Sequence, residues 1–210
     1  MSSTAERPRR ILLATRSVGK LRELHPMVRA AGWEAGDLDS EGIPESPVES
    51  TLESADTFEE NALAKARYFH ARSGMPTIAD DSGLEVVALG GAPGVLSKRW
   101  SGRADLDSQS LDDANNALLL DRLRNVDDRR ARYVCAAAYC DKESEIVVRG
   151  EVDGTITIEP RGTGGFGYDP YFKSIELGRT FGEMTRDEKA RVSHRARAIA
   201  KLLQRMAPRR

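Results

Sequence analysis

TIADDSGLEVVALGGAPGVLSKR, residues 77–99, opens on a short apolar run (Thr77, Ile78, Ala79) that ends in two adjacent carboxylates, Asp80 and Asp81. Ser82 and Gly83 follow, Leu84 to Leu89 resume the apolar character, and Gly90-Gly91-Ala92-Pro93-Gly94 forces a loop. β-Branched and apolar residues bounded by Gly and Pro predict strand, turn, strand. Two acids side by side at a strand end are costly as structure alone, because like charges repel and burial desolvates both. A hard divalent cation such as Mg²⁺ would relieve that cost, since it accepts carboxylate oxygens and keeps several waters. The plain alternative is a solvated Asp-Asp-Ser-Gly turn.

Upstream, Arg10 to Thr15 is a short apolar run, read as a buried strand. Arg16-Ser17-Val18-Gly19-Lys20 follows, and Leu21, Leu24 and Val28 then recur at helical spacing up to Gly32. Strand, tight loop and helix in that order suit an anion, because backbone N–H groups and the helix dipole face it. The pattern is close to a P-loop without being one, which would need Gly at Ala14 and a hydroxyl at Leu21. Lys20 is a candidate phosphate ligand; a surface lysine opening a helix is the alternative. Residues 34–56 are acidic, carry Pro44 and Pro47, and read as loop. Thr57 with Glu60 forms a capping box that opens a helix running towards Gly74. Asn61 and Lys65 fall one turn apart on one side of it.

Downstream, Ser110 to Leu123 reads as a helix with Leu111, Ala114, Leu118 and Leu119 inward. Arg132–Tyr139 and Ile146–Val152 flank the polar turn Asp141–Ser144 and predict a hairpin, with a further short strand at Thr155–Ile158. RGTGGFGYDPYF, residues 161–172, sets glycines among aromatics. Glycines let backbone approach a ligand and aromatic faces accept a base, whereas a structural Ω-loop is the alternative. Thr185 with Glu188 is a second capping box, opening a helical pattern with Val192, Ala196, Ile199, Leu203 and Met206 inward. Lys189 and His194 would stand roughly 140° apart on an unbroken helix, so either the helix is interrupted between Ala190 and Ser193 or the two touch different parts of an extended ligand.

The 210 residues suffice for one large domain or two small lobes, and the reading adopted is a single domain over 1–210 with solvated tails at 1–9 and 207–210. A net charge of −1 offers nothing to a bulk polyanion such as nucleic acid. The two cysteines, Cys135 and Cys140, make neither a disulfide framework nor a metal cluster and fit a reducing compartment. No apolar signal core and no run near ~20 apolar residues is present, so the expectation is a soluble, cytoplasmic protein without membrane partners.

Together these parts describe a site for a metal-bound polyphosphate joined to a planar ring. ATRSVGKLREL, TFEENALAKA, ADDSGLEV, GGAPGVLSKRWSG, GTGGFGYDPYF and EMTRDEKARVSHRAxAI resemble, in that order, the motif series of the inosine/xanthosine triphosphate pyrophosphatase family, from about Ile11 to Leu203. The resemblance implies an elongated α/β fold with a central mixed β-sheet flanked by helices, an active cleft between two lobes, and a homodimer. It also implies Mg²⁺-dependent hydrolysis of deaminated purine nucleoside triphosphates (dITP, ITP, XTP) to monophosphate and pyrophosphate. By position, Thr15, Arg16, Ser17, Val18, Gly19 and Lys20 would hold the triphosphate. Asp81 would be general base and metal ligand, with Asp80 and Glu53 assisting the metal and Ser82 contacting substrate. Phe166, Gly167, Tyr168 and Asp169 would frame base and sugar, and Lys189, His194 and Arg195 would read the 6-keto purine edge.

Two positions depart from the family's pattern: Thr15-Arg16-Ser17 replaces the usual Thr-Gly/Asn-Asn, and Glu188-Lys189-Ala190 replaces Glu-Lys-Asn. Two other readings stand beside this one. A septum-inhibitor-like nucleotide pyrophosphatase would share the fold but take modified pyrimidine nucleotides, and a silent nucleotide-binding module would bind without turnover.

Overall fold

The structure, a computed structural model, describes residues 9–103 and 105–206. Six strands form one mixed sheet in the order β2-β1-β3-β4-β5-β6. β1 (Arg9–Leu13) runs parallel to β2 (Trp33–Asp37) and to β3 (Thr77–Val86). From β3 onward pairing is antiparallel, through β4 (Arg130–Cys140), β5 (Glu145–Ile156) and β6 (Phe172–Ser174). The helices are α1 (Val18–Ala30), α2 (Phe58–Ser73), α3 (Ser108–Arg122), α4 (Arg186–Val192) and α5 (His194–Met206).

The caps account for where the helices begin. Ser17, Thr57, Asp107 and Thr185 each accept from a backbone N–H one turn on, which satisfies a donor the helix cannot. Gly74, in the left-handed region at φ 68°, ends α2.

The core divides along the length of the long strands. Where β1, β3 and β4 run together, α1 and α5 cover one face with Leu24, Val28, Ile199 and Leu202 against Ile11, Leu13 and Ile78. α2 covers the other with Phe58, Ala62, Ala66 and Phe69 against Leu12, Ala79 and Ala136. At the far end of β3–β5 a third cluster joins Leu84, Val86, Tyr133 and Val152 to Leu119 of α3 and Leu123 just past its end, with Phe172 and Phe181. Residues 80–82 lie on β3 where the first two clusters give way to the third.

Several elements differ from the sequence reading. β3 does not turn at Asp80–Gly83; ten residues pair continuously with β4. Gly83 belongs there because a Cβ would strike Ser97 Oγ and stand 2.5 Å from the Gly94 carbonyl. Its absence lets the 94–99 turn dock on the strand, where Ser97 Oγ accepts from Leu84 N–H at 2.8 Å. The stretch 34–56 is not all loop, since Trp33–Asp37 adds an edge strand beside β1 and 47–51 makes a 3₁₀ turn. Thr155 and Ile156 extend β5 instead of forming a separate strand. On α3 the buried positions are Asn115, Asn116 and Leu119, while Leu111, Ala114 and Leu118 are only partly covered. Arg9 and Arg10 are exposed, yet they pair with Trp33 and Glu34 as strand residues. The remaining expected tail residues, 1–8 and 207–210, lie outside the described residues.

The expected break in the last helix is present. Ser193 adopts φ −68° and ψ 158°, ending α4, and its hydroxyl accepts from Ala196 N–H at 3.2 Å to cap α5. Lys189 lies within α4 itself rather than in a turn before it.

Candidate active site

Successive side chains of a strand point to opposite faces, and β3 uses that alternation to separate its two acids. Asp81 faces α2, where its Oδ2 accepts from Asn61 Nδ2 at 2.9 Å and its Oδ1 from Ser82 N–H at 2.9 Å. Asp80 and Ser82 face the α1/α5 side. Asp80 Oδ2 meets Arg195 Nε at 3.0 Å and Lys20 Nζ at 3.2 Å, and Ser82 Oγ accepts from Arg195 Nη2 at 2.7 Å. Asp80 is fully buried, and its Oδ1 has no partner among the described residues.

The opposite surroundings pull the two carboxyls apart. Burial would raise Asp80, but Lys20 and Arg195 outweigh it and hold the group well below the usual carboxylate range. Burial raises Asp81, Lys65 and Lys20 oppose it, the Glu53 charge adds to it, and the result lies above the ordinary value. Burial would also raise Glu53, but Lys65 and Lys20 keep it low. Lys65 Nζ bonds Glu53 and donates to the Asp80 carbonyl at 2.6 Å, while Arg99 Nη2 donates to the Glu53 carbonyl at 2.6 Å.

Glu53 and Asp81 thus present hard oxygen donors on the α2 side, with a basicity at Asp81 that a divalent cation would offset. No group of three or more His, Cys, Asp or Glu surrounds a single point among the described residues. That set fits Mg²⁺, which takes one or two carboxylates and completes its shell with water and substrate phosphates. It does not include the Asp80 side chain, contrary to the sequence expectation, because Asp80 leaves the strand on the other face and is held by two cations.

The phosphate-side residues are gathered at the start of α1. Thr15 Oγ1 accepts from Ser17 N–H at 3.2 Å, Ser17 caps the helix, and Val18 is exposed in the first turn. Lys20 reaches under the loop to Asp80; burial would lower its pKa, and Asp80 reverses the sign. Arg16 is drawn away from the others. Its guanidinium donates to both Glu49 oxygens at 2.8 and 2.9 Å and to the Ile43 carbonyl at 3.2 Å, tying the loop to the segment that carries Glu53.

On the other side of α1, Glu23 joins Lys189 at 2.8 Å and Arg195, and Lys189 Nζ meets Asp169 at 2.5 Å. Burial would raise Glu23, but Arg195 and Lys189 hold it below the usual range. The Phe166 ring lies over this cluster, 4.7 Å from Lys189 Nζ and 5.8 Å from the Arg195 guanidinium, close enough for cation–π attraction. It packs directly on Gly19, where a Cβ would stand 2.8 Å from the ring. Tyr168 turns inward instead, donating its hydroxyl to the Ser97 carbonyl at 2.8 Å. The Gly167 backbone groups bond to α3 side chains. His194 stacks on Tyr133, ring centroids 4.5 Å apart and planes 10° apart, with Nδ1 unpartnered among the described residues. Burial, then Arg195 and Lys189, push its pKa well down, so the imidazole is neutral.

Sequence reasoning did not place Glu23 or Lys65 in the site. The available signals were the three-residue spacing of Lys20 and Glu23 on one helix and the one-turn spacing of Asn61 and Lys65.

Comparison with known proteins follows the same outline. The family model described as the Ham1 family matches residues 11–205. The chain is 50% identical over 196 residues to a dITP/XTP pyrophosphatase of Mycobacterium bovis, covering 92% of this chain and 93% of that protein. It is 44% identical over 199 residues to one of Thermus thermophilus, covering 93% and 90%. Among solved structures, a HAM1 protein from Coxiella burnetii superposes with a TM-score of 0.80 at 32% identity, covering 94% of this chain and 98% of that one. The Staphylococcus aureus Ham1 protein gives the same score and coverage at 35% identity.

Proposed function

The chain belongs to the Ham1 family, and from that membership we propose that its cleft hydrolyses deaminated purine nucleoside triphosphates, such as dITP and XTP, to the monophosphate and pyrophosphate with Mg²⁺. The observation that carries the chemistry is the separation of Asp80 from Asp81. One acid anchors two cations beneath the site, and the other, on the opposite face, is held by the Asn61 amide and the Ser82 N–H and makes no ion pair among the described residues.

Asp81 and Glu53 would hold the metal, which when bound neutralises phosphate charge and polarises the phosphorus centre. Asp81, oriented by Asn61 and by the Ser82 N–H, takes the proton of a water whose oxygen bonds to the phosphorus at the α–β bridge. The bridge bond breaks and its electron pair leaves with pyrophosphate. Lys20 and the N–H groups at the start of α1 hold the phosphates. Lys189, beside Asp169 and Glu23, offers a donor to a 6-keto oxygen, and the amine of adenine would leave that donor unpaired.

The homodimer and cytoplasmic location belong to the same proposal; no helix among the described residues is long and apolar enough to cross a membrane. The test is a steady-state panel of dITP, ITP, XTP, GTP, ATP and a modified UTP, with Mg²⁺ or with chelator, scoring inorganic pyrophosphate. Turnover of dITP and XTP far above ATP and UTP, abolished by chelator, is the expected result. A preference for the modified pyrimidine, or binding without turnover, would overturn it.

A further inference from the structure

Helix α3 contributes more than cover for the far end of the sheet. Asp112 Oδ2 accepts the Gly167 N–H at 2.7 Å, and Asn116 Nδ2 donates to the Gly167 carbonyl at 3.0 Å. The two side chains are one helical turn apart and so project to the same side, whereas their neighbours Asp113 and Ala117 are exposed. Gly167 sits at φ 63°, in the left-handed region that glycine adopts without strain, with its N–H and carbonyl turned to α3. Here both are held by side chains of one helix.

What this grip controls is the residue before it. Phe166, a large apolar side chain, is 37% exposed. It rests on Gly19 and covers Lys189 and Arg195, and its own N–H donates to Asp169 Oδ2 at 2.9 Å, the oxygen that also binds Lys189. Position therefore passes from α3 through the Gly167 peptide to the Phe166 ring and the cations beneath it. Asn116 is nearly buried, and a buried amide left without its carbonyl would be destabilising, so the contact has reason to persist.

We propose that Asp112 and Asn116 are positioning residues for the base end of the substrate, fixing Phe166 over Lys189 and Arg195 through the Gly167 peptide. The proposal rests on the nucleotide-hydrolase reading above. A ring held in advance strengthens substrate and transition-state binding alike, so its loss shows in KM more than in kcat.

The experiment pairs steady-state kinetics on dITP with amide hydrogen exchange of the full chain. Asp112→Ala and Asn116→Ala are expected to raise KM about tenfold with kcat within about twofold, as loss of one charge-assisted or buried hydrogen bond would do. Exchange of the 165–168 amides is expected to quicken about tenfold while the strands keep their protection. Asp112→Asn keeps an acceptor oxygen and should restore both readouts, and Asp113→Ala should change neither. Unchanged exchange in the Ala variants would remove the grip. Faster exchange with unchanged KM would leave a loop staple without a positioning role, and loss of protection throughout the chain would make the residues merely structural; either overturns the proposal. Failure of the unaltered enzyme to hydrolyse dITP would instead overturn the function, with the exchange readout still deciding the grip.

Discussion

Asp80 and Asp81 are bonded neighbours whose carboxylates never meet: one accepts from Asn61 on the α2 side of β3, the other from Arg195 on the α5 side. Their substitutions should therefore fail in different ways. Asp81→Asn keeps size and fold but removes the base, and kcat on dITP should fall at least ~10²-fold with little change in melting temperature. Asp80→Asn leaves Lys20 and Arg195 buried beside a neutral amide and should cost about 3–5 kcal/mol of stability, read by denaturant titration. Near wild-type turnover by Asp81→Asn would dismiss it as the base.

Lys20 pairs with Asp80 beneath the loop that opens α1, sharing the Asp80 Oδ2 with Arg195. Lys20→Ala should lower kcat/KM for ITP and ATP alike, by about 10–100-fold, the range for a lost hydrogen bond to a charged group. The ratio between the two substrates should stay within about twofold. A tenfold change in that ratio would place Lys20 at the base instead.

Lys189 lies between Asp169 and Glu23, at the end of the site proposed to take the base. Lys189→Met keeps most of the stem and removes the donor, and should cut kcat/KM for ITP at least ~10-fold more than residual activity on ATP. Equal losses on both substrates would remove Lys189 from base selection.

His194 gives a stability signature with a definite sign. Its folded pKa lies well below the ordinary 6.5, so below pH 6.5 the unfolded chain binds a proton that the folded chain refuses. Stability should therefore fall as pH drops from about 7 towards 5, by up to about 1.4 kcal/mol per unit from this group. Glu23, Asp80, Lys20, Lys189 and Arg195 are held charged across that window and contribute little slope. His194→Phe, which keeps a ring against Tyr133, should flatten the dependence in urea titrations at pH 7 and 5.5. An unchanged slope would mean that His194 binds its proton equally in the folded and unfolded chain, and the lowered pKa would be wrong.

Much of this was legible in the chain because short-range rules govern it. Ser17, Thr57 and Thr185 mark helix starts by capping chemistry that depends on three or four residues, and the break at Ser193 follows from requiring Lys189 and His194 to serve one ligand. What stayed hidden depends on distant partners. Gly83 reads as a turn residue until Ser97 is seen to need its empty side, and Trp33–Asp37 becomes a strand only because β1 offers an edge. Asp80 resembles a second metal ligand until the strand's alternation assigns it to Arg195, 115 residues away. Locally Glu23 offers no more than its three-residue spacing from Lys20; its partners, Lys189 and Arg195, arrive from the last two helices.

The contact between Gly19 and Phe166 sets a clearance. Wall meets wall there with hydrogen in place of a side chain, and even one methyl group would need the ring to retreat. The spacing between α1 and the ring is thus gauged by the smallest residue available. Any bulk added at position 19 acts as a shim, prising the aromatic cover from the cations it shields while Asp81 on β3 stays where it was.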